Sequence, residues 1–184
     1  MPPPYPQPIP GGANVTQTGT AALWNANIPP ITNFLTHRPF AYLWQTIAQV
    51  LPGTSDRPRT PILLNAGYDN SGAHSTTVNT SRYTCQLPGL YHVIGQLGLQ
   101  LPVIVGTAER TSHLEIRING TAYTDAPLIF DTGPANTGGT VQASIYAQLR
   151  LGDYIDITGE SYFNPITTFT DYRRPAMFVH WVSI

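Results

Sequence analysis

After residue 39 the chain alternates apolar and polar residues with a period of two, the period that sends successive side chains to opposite faces of a strand. The clearest case is 113–118, where Leu114, Ile116 and Ile118 fall on one side and His113, Glu115 and Arg117 on the other. Asn119-Gly120 follows at once, the pair that a two-residue hairpin turn with positive φ at both positions favours. In 141–151, Val141, Ala143, Ile145, Ala147 and Leu149 share a side, and in 90–101 Tyr91, Val93 and Gly95 oppose His92, Ile94 and Gln96. Shorter runs predict strands at 41–51 (ending at Pro52-Gly53), 60–65, 82–86, 154–158 and 177–184, with 67–70 as a turn. No amphipathic helix longer than two turns is present. The 18 prolines and 16 glycines punctuate short strands, which is the mark of a sandwich or barrel.

Residues 1–39 follow another pattern. Met1-Pro2-Pro3-Pro4-Tyr5-Pro6-Gln7-Pro8-Ile9-Pro10 favours extended polyproline II, and Gly11-Gly12 adds a joint. Trp24, Ile28, Ile31, Phe34 and Leu35 are apolar, but the prolines around them exclude a long helix or a central strand. Such anchors on an extended strap suit an attachment arm, the alternative being a strap folded back on its own domain. The expected organisation is therefore an arm, 1–39, and one all-β domain, 40–184.

Only 10% of the 184 residues are charged, against about 25% in a typical domain. All nine basic residues are arginine and the net charge is −1. Interfaces are poor in lysine and richer in arginine, so this surface leans toward one that works in contact with partners. The scattered arginines, including the doublet Arg173-Arg174, give no basic patch to displace phosphate counterions, which argues against nucleic acid as a partner. No apolar run reaches the roughly 20 residues of a membrane span. The first residues have no basic segment followed by an apolar one, so a chain without secretion signal, made in a cytoplasm, is expected. The sequons at Asn14, Asn79 and Asn119 then read as chance in a chain rich in Asn and Thr.

Catalytic chemistry finds little to stand on. Cys85 is the single cysteine, so it forms no disulfide within the chain and reads as core. His37, His74, His92, His113 and His180 show no i, i+2 or i, i+4 pairing for a metal, although a folded sheet can join distant ones. Asp153 and Asp156 lie three apart, hence on opposite faces of a strand. The loop Asp69-Asn70-Ser71-Gly72-Ala73-His74 has oxygen ligands for calcium, but the same residues make an ordinary turn, the favoured reading. No phosphate-binding glycine loop or nucleophile elbow appears. The expectation is a protein that is not an enzyme, with no cofactor and no metal.

Three motifs give the pattern a family. Ser81-Arg82-Tyr83-Thr84-Cys85-Gln86-Leu87-Pro88-Gly89-Leu90-Tyr91-His92-Val93 resembles the strand, Pro-Gly corner and inward tyrosine of the complement one-q globular head, part of the tumour-necrosis-factor-like jelly-roll superfamily. Ile116-Arg117-Ile118-Asn119-Gly120 is similar to its hairpin, and Ala147-Gln148-Leu149-Arg150-Leu151-Gly152-Asp153-Tyr154-Ile155 to its Leu-x-x-Gly-Asp turn. The family's Phe-x-Gly before the closing strand is replaced by Ala176-Met177-Phe178-Val179, and no Gly-X-Y stalk precedes the domain. A closer resemblance, to virion proteins of tailed phages of actinobacteria (head decoration or minor tail proteins), rests on 35–40, 45–49, 69–75 and 79–82.

These resemblances imply an antiparallel jelly-roll β-sandwich, a homotrimer about a three-fold axis, and no catalysis. They also imply a virion structural protein, assembled in the host cytoplasm: a bacteriophage capsid decoration protein attached through its arm to the major capsid protein or another virion protein. The alternatives are a minor tail or fibre protein binding host glycan, through loops such as 132–140 or 164–172, and a free ligand-binding module of the complement one-q type. The first and last strands supply the candidates for the trimer interface, with the sandwich core as their alternative place: Tyr42, Trp44, Ile47, Phe178, His180 and Trp181. Neither nucleic acid nor membrane is an expected partner.

Overall fold

Side chains that alternate between a core and an outer side need a sheet on which to stand, and the chain supplies two. The structure is a computed structural model that describes residues 38–54, 56, 58–100, 111–129, 138–161 and 165–183. The arm candidates Trp24, Ile28, Ile31, Phe34 and Leu35 lie outside the described residues, as do most of 132–140 and the start of 164–172.

Among the described residues every named element is a strand: β1 (Phe40–Trp44), β2 (Val50–Leu51), β3 (Thr60–Pro61), β4 (Ala66–Asp69), β5 (Arg82–Thr84), β6 (Gly89–Gln100), β7 (Thr111–Ile118), β8 (Thr121–Ala122), β9 (Ala126–Ile129), β10 (Gly139–Leu149), β11 (Tyr154–Ser161), β12 (Ile166–Thr168) and β13 (Ala176–Ser183). The first sheet runs β2-β12-β6-β13-β1-β4, with β10 on the other edge of β6. The second runs β3-β11-β7-β8, with β5 also on β11 and β9 also on β7. All pairings between named strands are antiparallel. This is the expected all-β, antiparallel jelly-roll sandwich.

Register fixes which side chains meet. Ala41 pairs with Val179 and Val179 with Val93, while Trp181 pairs with Tyr91; all five are buried on the inner side of the first sheet. Leu114, Ile116, Ile118, Ile155 and Ile157 close the core from the second sheet. Burying each large apolar side chain contributes roughly 1.5–3 kcal/mol, which is what holds two facing sheets together. Tyr91 is the inward tyrosine of the Pro-Gly motif: its hydroxyl donates to the Leu87 carbonyl at 2.6 Å, and its ring meets Tyr83 edge-on at 6.2 Å. At the corner, Gly89 has φ +152°, and a Cβ there would run into the Trp181 indole nitrogen and the Ser183 carbonyl. Cys85 is fully buried, its thiol directed at the Leu87 carbonyl, and burial pushes its pKa up.

The turns come from the same chemistry. Asn119 and Gly120 both have positive φ (51° and 80°), as the hairpin between β7 and β8 requires. Asn119 Nδ2 donates to Asp153 Oδ1 at 2.8 Å and its Oδ1 accepts from the Tyr154 amide, so this hairpin is tied to the Gly152-Asp153 turn.

Three sequence expectations change. Residues 41–51 are two strands, because the Thr46 and Gln49 amides donate to the side chains of Asn65 and Thr168, both at 2.8 Å, instead of to a neighbouring strand. The predicted turn at 67–70 is largely β4, an edge strand on β1; a Cβ on Gly67 would stand 2.7 Å from a Leu43 methyl, so glycine here permits close pairing. Only Thr60 and Pro61 of the run 60–65 are strand, while β8, β9 and β12 are too short to show a period.

Candidate functional site: an uncharged aromatic sheet face

The outer side of the first sheet carries three cross-strand rows. Phe40, His180, His92 and Tyr146 form the first, across β1, β13, β6 and β10. Tyr68, Tyr42, Phe178, Ile94 and Ser144 form the second, and Ala66, Trp44, Ala176, Gln96 and Gln142 the third. No position in these rows bears a charge. With strands about 4.8 Å apart and paired residues repeating every ~6.8 Å along a strand, the rows cover roughly 19 by 14 Å between backbone centres.

The rings are organised on this side. Phe40 meets Phe178 edge-on at 4.9 Å, Tyr42 and Trp44 lie 5.2 Å apart, and Tyr146 stacks on the His92 imidazole at 4.5 Å with 14° between planes. Much of the surface stays open: Tyr42 is 39% exposed, Tyr68 60% and Tyr146 66%. Exposed apolar patches of a few hundred Å² on a single chain usually mark an interaction site.

The sequence candidates fall in different places. Tyr42, Trp44, Phe178 and His180 come together on this outer side, whereas Trp181, one residue on, turns into the core at 5% exposure. Ile47 lies between β1 and β2, off the sheet and 71% exposed. Sequence reasoning missed Phe40, Tyr68, His92, Ile94 and Tyr146. The available signal was apolar residues on both sides of β1 and β13, since antiparallel strands with one wet side normally alternate.

Charges gather instead on the outer side of the second sheet and are paired there. Arg59 bridges Glu115 (3.2 Å) and Glu160 (2.8 Å), and His113 lies 2.6 Å from Asp125. Asp156 is buried on that side, and desolvation raises its pKa despite the fields of Arg117 and Arg82. A groove of about 310 Å³ opens nearby, lined by His74, Ser75, Asn79, Arg82, Thr84 and Tyr154 among others, with the Arg82 guanidinium 4.0 Å from the Tyr154 ring centre.

The Asp69 loop is a turn in which the carboxylate serves its own chain: it accepts from the Ser71 amide (2.8 Å), the Ser71 hydroxyl (2.6 Å) and the His74 amide (2.8 Å). Both His74 nitrogens lie within 2.8 Å of carbonyl oxygens, those of Arg82 and Leu64. Among the described residues no three His, Cys, Asp or Glu side chains are grouped to hold a metal ion, and no helix is long and apolar enough to cross a membrane.

The sandwich has counterparts among solved structures. The globular domain of zebrafish complement 1qA matches with a TM-score of 0.50 and 12% identity, over 79% of this chain and 98% of that one. The Eiger tumour necrosis factor from S. frugiperda matches with a TM-score of 0.51 and 12% identity, over 79% and 94%. The fold is the complement 1q and tumour necrosis factor jelly roll. At such identity the likeness concerns the fold alone. No family model and no curated protein matches the sequence.

Proposed function

We propose that the protein is a non-enzymatic structural module that forms a homotrimer through the uncharged aromatic side of its first sheet. In the finer form of this proposal it is a virion protein that decorates a phage head, with residues 1–39 as the attachment strap. The observation that carries assembly is the three-row face: aromatic, half exposed and free of charge, so identical copies meet there without like-charge repulsion. A charged partner would find no complement on it. The virion role draws on the sequence resemblance to phage decoration and minor tail proteins, and on the apolar anchors Trp24, Ile28, Ile31, Phe34 and Leu35. If all five are buried on a shell at ~1.5–3 kcal/mol each, they contribute about 8–15 kcal/mol, enough to offset the ordering of roughly five to ten strap residues around them.

The test compares the full chain with a version lacking residues 1–39, by light scattering and by co-sedimentation with shells of the major capsid protein. Trimers in both, with only the full chain sedimenting, is the expected result. Monomers in both remove the assembly. A trimeric full chain that stays in the supernatant removes head decoration.

A second reading draws on the groove beside Arg82 and Tyr154. Its size suits a monosaccharide, and hydroxyl, amide and guanidinium donors line it, as a ligand-binding module of the complement one-q type or a tail protein on host glycan would need. Glycan-array binding that Arg82→Ala abolishes is what this reading predicts.

A further inference from the structure

His92 and His180 are 88 residues apart in sequence and directly opposite one another on β6 and β13. Directly opposed strand residues have Cβ atoms about 4.5–5.5 Å apart; from there the His92 ring stacks on Tyr146 and the His180 ring lies 6.5 Å from that of Phe178. They sit in the first row of the aromatic face, between Phe40 and Tyr146. From this placement we infer that assembly is gated by protons: the trimer holds at neutral pH and separates into folded protomers in mild acid. The inference rests on the proposed use of this face as the contact between copies.

The groups around the pair decide the sign. On β10 the His92 ring stacks on Tyr146, on β1 Phe40 opposes His180, and along their own strands stand Leu90, Ile94, Phe178 and Val182. Tyr42 and Tyr68 are the other ionisable side chains of the face. Among the described residues, the Arg174 guanidinium lies 5.0 Å from the Trp44 ring centre in the third row, and Asp69, beside Tyr68 on β4, has its carboxylate engaged by Ser71 and His74. No carboxylate stands in the rows to receive an imidazolium. Covering the face therefore disfavours the charged form of both rings by desolvation and by their mutual repulsion.

Protons then bind the separated protomers more tightly than the trimer, so falling pH favours separation. An imidazole that must be neutral to be covered weakens assembly by up to about tenfold for each unit the pH falls through the acid range, and two per protomer multiply their factors.

The experiment measures the mass of the full chain by sedimentation between pH 7.5 and 5.0, with near-ultraviolet circular dichroism to follow protomer packing. Proton uptake on dissociation is read by dilution calorimetry in buffers of different ionisation enthalpy. Trimer at pH 7.5, folded protomer at pH 5.0, reversal on neutralisation and uptake approaching about two protons per protomer support the inference. So does a shift of the midpoint to lower pH in His92→Gln and in His180→Gln. A wild-type trimer unchanged at pH 5.0 overturns it, as does dissociation without proton uptake or with the same midpoint in both variants. A wild-type chain already monomeric at pH 7.5 overturns the assembly itself, a different failure from the loss of gating alone.

Discussion

Phe178→Arg separates a contact face from a core. Phe178 stands at the middle of β13, between Tyr42 and Ile94 in register, half-buried, with Phe40 edge-on at 4.9 Å. In a lone protomer the arginine side chain can follow the sheet surface into water. The cost to folding is then the lost ring pair, about 0.5–1.5 kcal/mol, plus a part of the apolar burial. In the trimer each copy gives up burial of the part of the phenyl ring still open in the protomer, at most about a third of ~1.5–3 kcal/mol, so three copies lose about 1.5–3 kcal/mol before any buried charge is counted. At about 1.4 kcal/mol per tenfold, that alone weakens assembly by roughly one to two orders of magnitude, and three arginines brought together in the contact add to it. Sedimentation velocity should show a folded monomer, with a cooperative melt by circular dichroism. A variant that stays trimeric refutes the placement of Phe178 at the contact, and one that loses its cooperative melt refutes its place outside the core.

Other substitutions probe the sandwich itself. Trp181→Ala removes a buried indole packed over the Gly89 corner and should cost about 3–5 kcal/mol in urea unfolding; a loss under ~1 kcal/mol contradicts its core position. Tyr91→Phe leaves the buried Leu87 carbonyl only the weaker Cys85 thiol as a side-chain donor and should cost about 1 kcal/mol in urea unfolding. Asp156 has a folded pKa raised mainly by desolvation, so the folded chain holds its proton to higher pH than the unfolded chain, and stability falls as pH rises through that window. Asp156→Asn should therefore raise the melting temperature at pH 7, with the gain vanishing below about pH 4. An unchanged or lower melting temperature at pH 7 counts against this account of the residue.

Fold class was legible because period-two alternation and the Asn119-Gly120 and Gly152-Asp153 turns are local signals, each decided by a few neighbouring residues. β7, β10 and β13 were readable to within a few residues for that reason. The break after Trp44 was not, since it depends on Asn65 and Thr168 supplying side-chain acceptors from far along the chain. The face was legible in halves. Tyr42, Trp44, Phe178 and His180 could be picked as aromatic residues of terminal strands, but separating them from Trp181 needs the absolute phase of β13 against its neighbours. Cross-strand register decides the rest: nothing local in the sequence sets His92 opposite His180 or places Tyr146 on the same row.

The central claim is that copies of this chain meet on the aromatic side of the first sheet. Tyr68, Tyr123 and Tyr146 test it in one measurement, because a lone chain exposes them almost equally, at 60%, 59% and 66%. Hydroxyl-radical footprinting of the full chain at neutral pH reads their oxidation rates side by side. Tyr68 and Tyr146 oxidising several-fold more slowly than Tyr123 is the predicted result; equal rates for all three contradict the account.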